Sequence, residues 1–380
     1  MSSDLRIGAL GFVMIAVCYG FARFAFGLFL PQIDAELELG STISGVISGG
    51  SFTGYCIAIV ASAVLSERLG ARAVATAAAA VAAVGMAGIA LAPTPLLLAV
   101  AVLVAGSSTG LASPPMAAAV EAVVRKDCQD LTNTVINAGT SAGVTLSGLV
   151  ALAMVGQWRI AFGLFAAIAF LLTLASARWL PTARRRQGAN GSLTLNKPLL
   201  QLIAASFLMG AASTAVWSFG GKIVSEQLDW DASSTGWLWA CLGAGGTVGA
   251  CAGSLVRRFG VNRVHLTFLG LMSAAILAVG SGTNMLALAL AGGAMFGTAY
   301  VMLTGVYLVW GVGLLPHRPA TGLMIGFLTI AVGQTCGAPV FGLLMAEQGM
   351  SVAITGFVGL ALVAGLFRYD AGGKFSPNGQ

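Results

Sequence analysis

Twelve apolar runs, each close to the roughly 20 residues that a helix needs to cross the hydrocarbon core of a bilayer, follow one another along the chain with only short polar breaks between them. They are approximately Ile7–Leu30, Ile43–Leu65, Ala73–Leu91, Leu96–Val124, Thr132–Val155, Ile160–Leu180, Leu199–Ile223, Gly236–Val256, Val264–Ser281, Met285–Leu315, Gly322–Ala346 and Val352–Phe367. Breaks such as Pro93–Pro95 and Gly282–Asn284 leave no room for a soluble domain, and the longest, Arg184–Lys197, is marked by Gly, Asn and Ser. One anchor on a soluble domain does not explain the pattern. Charged residues make up 8% of the 380, against roughly 25% in soluble chains, and a mean hydropathy of +0.91 is sustained over the whole length. Most of the chain belongs in lipid, as an all-α integral membrane protein.

The first run follows Arg6, exceeds a signal-peptide core, contains Arg23 and shows no clear small-residue cleavage site, so a retained helix is expected. The six cysteines lie mostly inside runs and lack paired metal-ligand spacing, which reads as small buried apolar residues rather than a metal site. No metal or other cofactor is expected.

The net charge of +6 invites a nucleic-acid partner, but the positions of the basic residues report topology instead. With the N-terminus inside, the inner side holds Arg6, Arg68, Arg72, Arg125, Lys126, Arg178, Arg184, Arg185, Arg186, Lys197, Arg257, Arg258, Arg263, Arg318, Arg368 and Lys374, which is 16 of the 19 Lys and Arg. Arg159 and Lys222 fall outside and Arg23 within a run. This is the positive-inside asymmetry of a multi-pass protein of the cell membrane with both termini cytoplasmic. Adding or removing one span would swap the side of every later loop and destroy the pattern, so twelve spans are expected.

The chain also repeats itself. Shifted by 190 residues, half its length, it aligns Gly20 with Gly210, Phe29 with Phe219, Glu36 with Glu226, Arg68 with Arg258 and Gly70 with Gly260. At an offset of 194, Gly139, Gly143 and Gly148 meet Gly333, Gly337 and Gly342. In each set the first two glycines share a helix face and permit close backbone approach to a neighbour. The expected organisation is an N-terminal six-helix bundle over 1–183, a cytoplasmic linker over 184–197 and a C-terminal six-helix bundle over 198–380. Parallel repeats of this kind are a transporter arrangement, with binding near the midplane between the halves.

After the second run, Ala63-Val64-Leu65-Ser66-Glu67-Arg68-Leu69-Gly70-Ala71-Arg72 resembles the loop signature G-x-L-x-D-R-x-G-R-R of the major facilitator superfamily. A second copy, Gly253-Ser254-Leu255-Val256-Arg257-Arg258-Phe259-Gly260, follows the eighth run, and Gln157-Trp158-Arg159-Ile160-Ala161-Phe162 resembles the family's entry to span six. The resemblance covers the whole chain. It implies twelve helices in two pseudo-symmetric bundles around a central cavity, with Glu67, Arg68, Gly70, Arg72, Arg258 and Gly260 as a cytoplasmic gating latch. Glu67 stands for the usual Asp, Ala63 for the first Gly, and Arg257 for the acid of the second copy, so a weaker second latch is expected. Val102, four residues before Gly106, occupies the place of the family's span-four arginine.

A charge inside the hydrocarbon costs roughly 2.5–3.5 kcal/mol on insertion scales, which makes Arg23 the most informative interior residue. No Asp or Glu lies in the middle third of any run, so the arginine has no evident acidic partner. In the family the first span lines the cavity, and Arg23 is therefore expected to bind an anionic substrate group; the alternative is a structural arginine held by backbone carbonyls, Asn137 or Gln334. Further candidates for substrate contact are Tyr19, one turn before Arg23, Asn137 in span five, Trp217 in span seven, Tyr300, Thr304 and Tyr307 at shared-face spacing in span ten, and Gln334 opposite Thr140 in the repeat.

The expected function is secondary active transport of a small organic anion by rocker-switch alternating access, in a monomer embedded in the lipid bilayer. Export of hydrophobic drug-like compounds is the alternative. An embedded enzyme is disfavoured because no His, Asp, Glu and Cys groups converge at one depth. Proton coupling usually needs an intramembrane acid or histidine, whereas His265, His317, Glu121 and Asp34 fall near span ends; a coupling proton and a counter-substrate both stay open as partners.

Overall fold

A computed structural model describes residues 3–182, 195–228, 232–282 and 285–370. Arg184, Arg185, Arg186, Lys374 and most of the expected linker lie outside the described residues. Within them every regular element is helical and no strand occurs.

Helix α1 runs through Ser3–Ile15, Ala16–Phe24 and Ala25–Leu37 end to end, its middle segment π-helical. It is followed by α2 (Gly40–Leu69), α3 (Ala71–Leu91), α4 (Pro95–Val123), α5 (Lys126–Ala153) and α6 (Trp158–Trp179). The second half holds α7 (Lys197–Trp217, resuming at Gly220–Leu228) and α8 (Ala232–Gly246, a 3₁₀ turn at Thr247–Cys251, then Ala252–Phe259). Then come α9 (Val261–Val279), α10 (Leu286–Leu314), α11 (Pro319–Glu347) and α12 (Met350–Ala364).

Local chemistry sets several of these limits. Thr94 and Asn196 accept from the backbone N–H groups of Leu97 and Leu199, and Pro95 and Pro198, at the first and second helical positions, sit where a missing N–H leaves no helical bond unmade. Between α2 and α3, Gly70 has φ +84° and ψ 160°; between α8 and α9, Gly260 has φ +81° and ψ 155°. Each glycine donates back to the residue four before it, Ser66 or Val256, so the repeated loop sequence takes the same backbone path twice. Only glycine enters that region without steric cost.

Eleven of these helices are long and apolar enough to cross a bilayer, and α12 is a shorter apolar helix. The apolar run continues to Phe367, three residues beyond the end of α12, which instead begins two residues before the run does. From Gly365 to Phe367 the N–H groups bond three residues back rather than four, and the helix unwinds in a tight turn.

Packing repeats with a shift of six helices. In the first half α2 and α3 pack on α4, α3 on α6 and α1 on α5; in the second, α8 and α9 pack on α10, α9 on α12 and α7 on α11. Between the halves the broad contacts are α2 with α11 and α5 with α8, which the same shift exchanges. The molecule is therefore two pseudo-symmetric six-helix bundles. Gly139 and Gly143 of α5 lie against the backbone of Phe12 and Ala16 in α1, and Gly333 and Gly337 of α11 against Phe207 and Ala211 in α7.

Candidate substrate-binding site

A cavity of about 340 Å³ lies between the bundles. Its walls come from the middle of α5 (Thr134 to Ser141), the second part of α8 (Gly246 to Gly253) and the second half of α10 (Tyr300 to Val309). All three stretches lie toward the end of the molecule that carries the loops with Arg68, Arg125 and Arg258. Toward the other end the bundles meet directly. There Gly27 abuts the Trp217 carbonyl, Gly45 the Ala338 carbonyl, and Gly148 the backbone of Gly236 and Ala240, each with no space for a Cβ. Beyond these contacts, Lys222 of α7 donates to Asp34 of α1 at 2.5 Å and lies 3.6 Å from Glu226. An ion pair thus ties the bundles together at the closed end.

Arg23 sits at the inner limit of the cavity, 6% exposed, at the end of the π-helical segment. Its Nη2 donates to the Gln334 side-chain oxygen at 2.6 Å, and its Nε is buried without a hydrogen-bond partner. The guanidinium carbon lies 4.4 Å from the centre of the Tyr55 ring, 5.0 Å from those of Phe52 and Phe24, and 5.8 Å from that of Tyr19. Cation–π attraction of about 0.5–2 kcal/mol per well-placed ring offsets part of the desolvation cost. No carboxylate among the described residues pairs with it.

Gln334 is fully buried and links the bundles. Its amide nitrogen donates to Ser213 Oγ and Tyr300 Oη, both at 3.2 Å, while Ser213 donates onward to the Gly210 carbonyl at 2.6 Å. The 190-residue offset that aligns Gly20 with Gly210 also aligns Arg23 with Ser213, so Ser213 was findable from the repeat. Tyr55 and Phe52 carry no such signal, because aromatic residues on α2 look like ordinary packing.

Of the residues singled out from the sequence, Tyr19, Arg23, Asn137, Tyr300 and Thr304 line the cavity. Tyr19 also bonds Ser113 at 2.9 Å. Trp217 lies behind the wall, stacked on Phe24 at 3.9 Å between ring centres and edge-on to Tyr300. Tyr307 departs from expectation. Its hydroxyl bonds Ala205 O at 3.2 Å and His265 Nε2 at 2.9 Å inside the second bundle, away from the cavity. The cavity-facing stripe of α10 runs through Val301, Thr304, Gly305 and Leu308. Tyr307 precedes Leu308 by one residue, a rotation of about 100° that turns it toward α7 and α9.

The loop residues Glu67, Arg68 and Arg258 are exposed, with no ion pair to any described residue. Arg258 rests on the Phe259 ring, and Arg72 Nε donates to the Leu180 carbonyl at 2.5 Å, within the first bundle. At the opposite end Glu36 accepts from Trp158 Nε1 at 2.7 Å and pairs with Arg159 at 2.8 Å, also within the first bundle. Among the described residues no group of three His, Cys, Asp or Glu could hold a metal.

Two pseudo-symmetric six-helix bundles enclose a mostly apolar cavity with a few polar side chains on its wall, the arrangement of a membrane transporter fold. The chain belongs to the Major Facilitator Superfamily, whose model matches residues 12–333. Similar solved structures include a bacterial homologue of the human lysosomal transporter Spinster in an inward-facing and unoccupied conformation, with TM-score 0.79, 14% identity, and 97% of this chain and 96% of that one covered. The inward-open xylose transporter XylE from E. coli gives 0.78, 13%, 96% and 95%, and the nucleoside transporter NupG gives 0.75, 14%, 96% and 98%. At these identities the likeness is one of fold. No curated protein matches the sequence.

Proposed function

We propose that this transporter carries a small organic anion across the cytoplasmic membrane by alternating access, and that Arg23 binds the anionic group. The carrying observation is a 94%-buried guanidinium at the cavity wall that has one hydrogen bond, to a neutral amide, and no acid beside it. A carboxylate would supply the second parallel bond and the opposite charge that the amide does not. Tyr19, Asn137, Tyr300 and Thr304 supply polar and aromatic contacts along the same wall, and Trp217 backs them.

Positive-inside placement puts both termini and the basic loops in the cytoplasm, so the cavity faces inward in this conformation. For the other access state, the α1–α7, α2–α11 and α5–α8 contacts at the outer end part, and the loops bearing Glu67, Arg68, Gly70, Arg72, Arg258 and Gly260 approach one another as a latch. The bundles over 1–183 and 198–380 move as units about the linker.

Proteoliposome uptake of a panel of small carboxylates, with and without a pH gradient, tests this reading. At least one carboxylate is expected to be carried in an Arg23-dependent way. Transport of neutral hydrophobic compounds alone, unchanged in Arg23→Ala, would instead assign the chain to export of drug-like molecules.

A further inference from the structure

The contact between Arg23 and Gln334 has a chemical direction. Arginine has only donors, so the oxygen of the Gln334 amide must face it, and the NH₂ must face Ser213 and Tyr300. Ser213 gives its proton to Gly210 O and therefore accepts from Gln334. Two hydroxyls of the second bundle thus hold the amide, and its oxygen is presented, 2.6 Å away, to Arg23, the one buried charged group of the first bundle among the described residues.

We infer that Gln334 is a built-in competitor for Arg23: its amide oxygen holds the guanidinium position that a substrate carboxylate takes over on loading. This rests on the proposed anion site and adds a source of selectivity to it. The guanidinium already lends its charge to the bond with Gln334; a carboxylate adds a second parallel N–H···O bond and the opposite charge on the acceptor, neither of which the single neutral oxygen supplies. A neutral carbonyl merely exchanges one such contact for another and gains little. The bond also spans α1 and α11, so each loading event removes one tie between the bundles. A purely supporting glutamine would act in the opposite sense, because its loss would disorder the arginine and weaken anion binding.

The near-isosteric variants Gln334→Met and Gln334→Glu separate these roles. The first readout is the rate at which phenylglyoxal modifies Arg23 in the purified full-length protein, followed by peptide mass spectrometry without any substrate. Gln334→Met is expected to label about fivefold faster than wild type, and Gln334→Glu, which tethers a carboxylate to the guanidinium, more slowly than wild type. The second readout is protection of Arg23 by benzoate, lactate or succinate. Gln334→Met is expected to need about tenfold less carboxylate for half-protection, and Gln334→Glu to show no protection at any concentration that protects wild type. The inference is overturned if Gln334→Met labels no faster than wild type or needs more carboxylate. Failure of the anion site itself has a different signature: the labelling order holds, but no carboxylate protects Arg23 in any variant, and competition falls with it.

Discussion

The two ends of the bundle pair use different chemistry on the same repeated scaffold. At the closed end, helices approach until backbone touches backbone, at Gly27 with Trp217, Gly45 with Ala338 and Gly148 with Gly236, and Lys222–Asp34 spans the bundles. At the basic end the two loops copy each other's path through Gly70 and Gly260, yet Glu67, Arg68 and Arg258 reach no charge among the described residues of the opposite bundle. Closure therefore comes from shape and the Lys222–Asp34 pair, whereas the basic end keeps exposed charges available. A contact made by apposed backbones is all-or-none, since a side chain either fits or it does not; exposed ion pairs are worth only about 0–1 kcal/mol each.

The strongest way to break this contrast is to fill a closed-end contact. Gly27→Phe places a ring against the Trp217 carbonyl and is expected to cut transport to under about a tenth of wild type, since overpacking costs about 1–3 kcal/mol or more where backbone cannot yield. Cysteines placed at the outer end should become reactive to membrane-impermeant maleimide in the same variant.

Next in size is Lys222→Ala, which leaves Asp34 half-enclosed without its partner. A loss of roughly 1–3 kcal/mol is expected, read as a lower melting temperature and faster outer-end labelling, and Asp34→Asn in the same chain should recover much of it. If the double variant is no better than the single one, the pair does not hold the ends together.

Gly70→Ala and Gly260→Ala sharpen the comparison at the basic end. Each puts a Cβ at positive φ and should cost about 1 kcal/mol or somewhat more, with the two losses equal to within a few tenths because the loops share one conformation. Thermal unfolding in detergent checks this.

The smallest effect belongs to Tyr307→Phe, remote from both ends and from the cavity. Loss of its bonds to Ala205 and His265 is expected to lower stability by about 1 kcal/mol and to leave substrate affinity unchanged. A clear change in affinity would return Tyr307 to the binding wall.

Much of this was legible in the chain. Twelve separated apolar runs, one-sided basic residues and a half-length repeat each report topology independently, so the fold did not depend on any one of them. Arg23 stood out because a charge in a span is costly and therefore uncommon. Its partner was one of the options its helix neighbours allowed, but choosing Gln334 over Asn137 needs the rotation of α11 against α1, which no local pattern encodes. The same limit misplaced Tyr307, where one residue of rotation separates a cavity wall from a bundle interior. The π-helical turn at Ala16–Phe24 and the Lys222–Asp34 tie left no trace either, since helix type and long-range pairing are set by packing across elements far apart in sequence.

The central claim, that the buried guanidinium receives an anionic substrate, is tested most directly by carboxylate uptake into proteoliposomes with wild type, Arg23→Lys and Arg23→Ala at matched protein density. Uptake near background in Arg23→Ala, with partial recovery in Arg23→Lys, is the predicted result. Equal uptake by all three would contradict it.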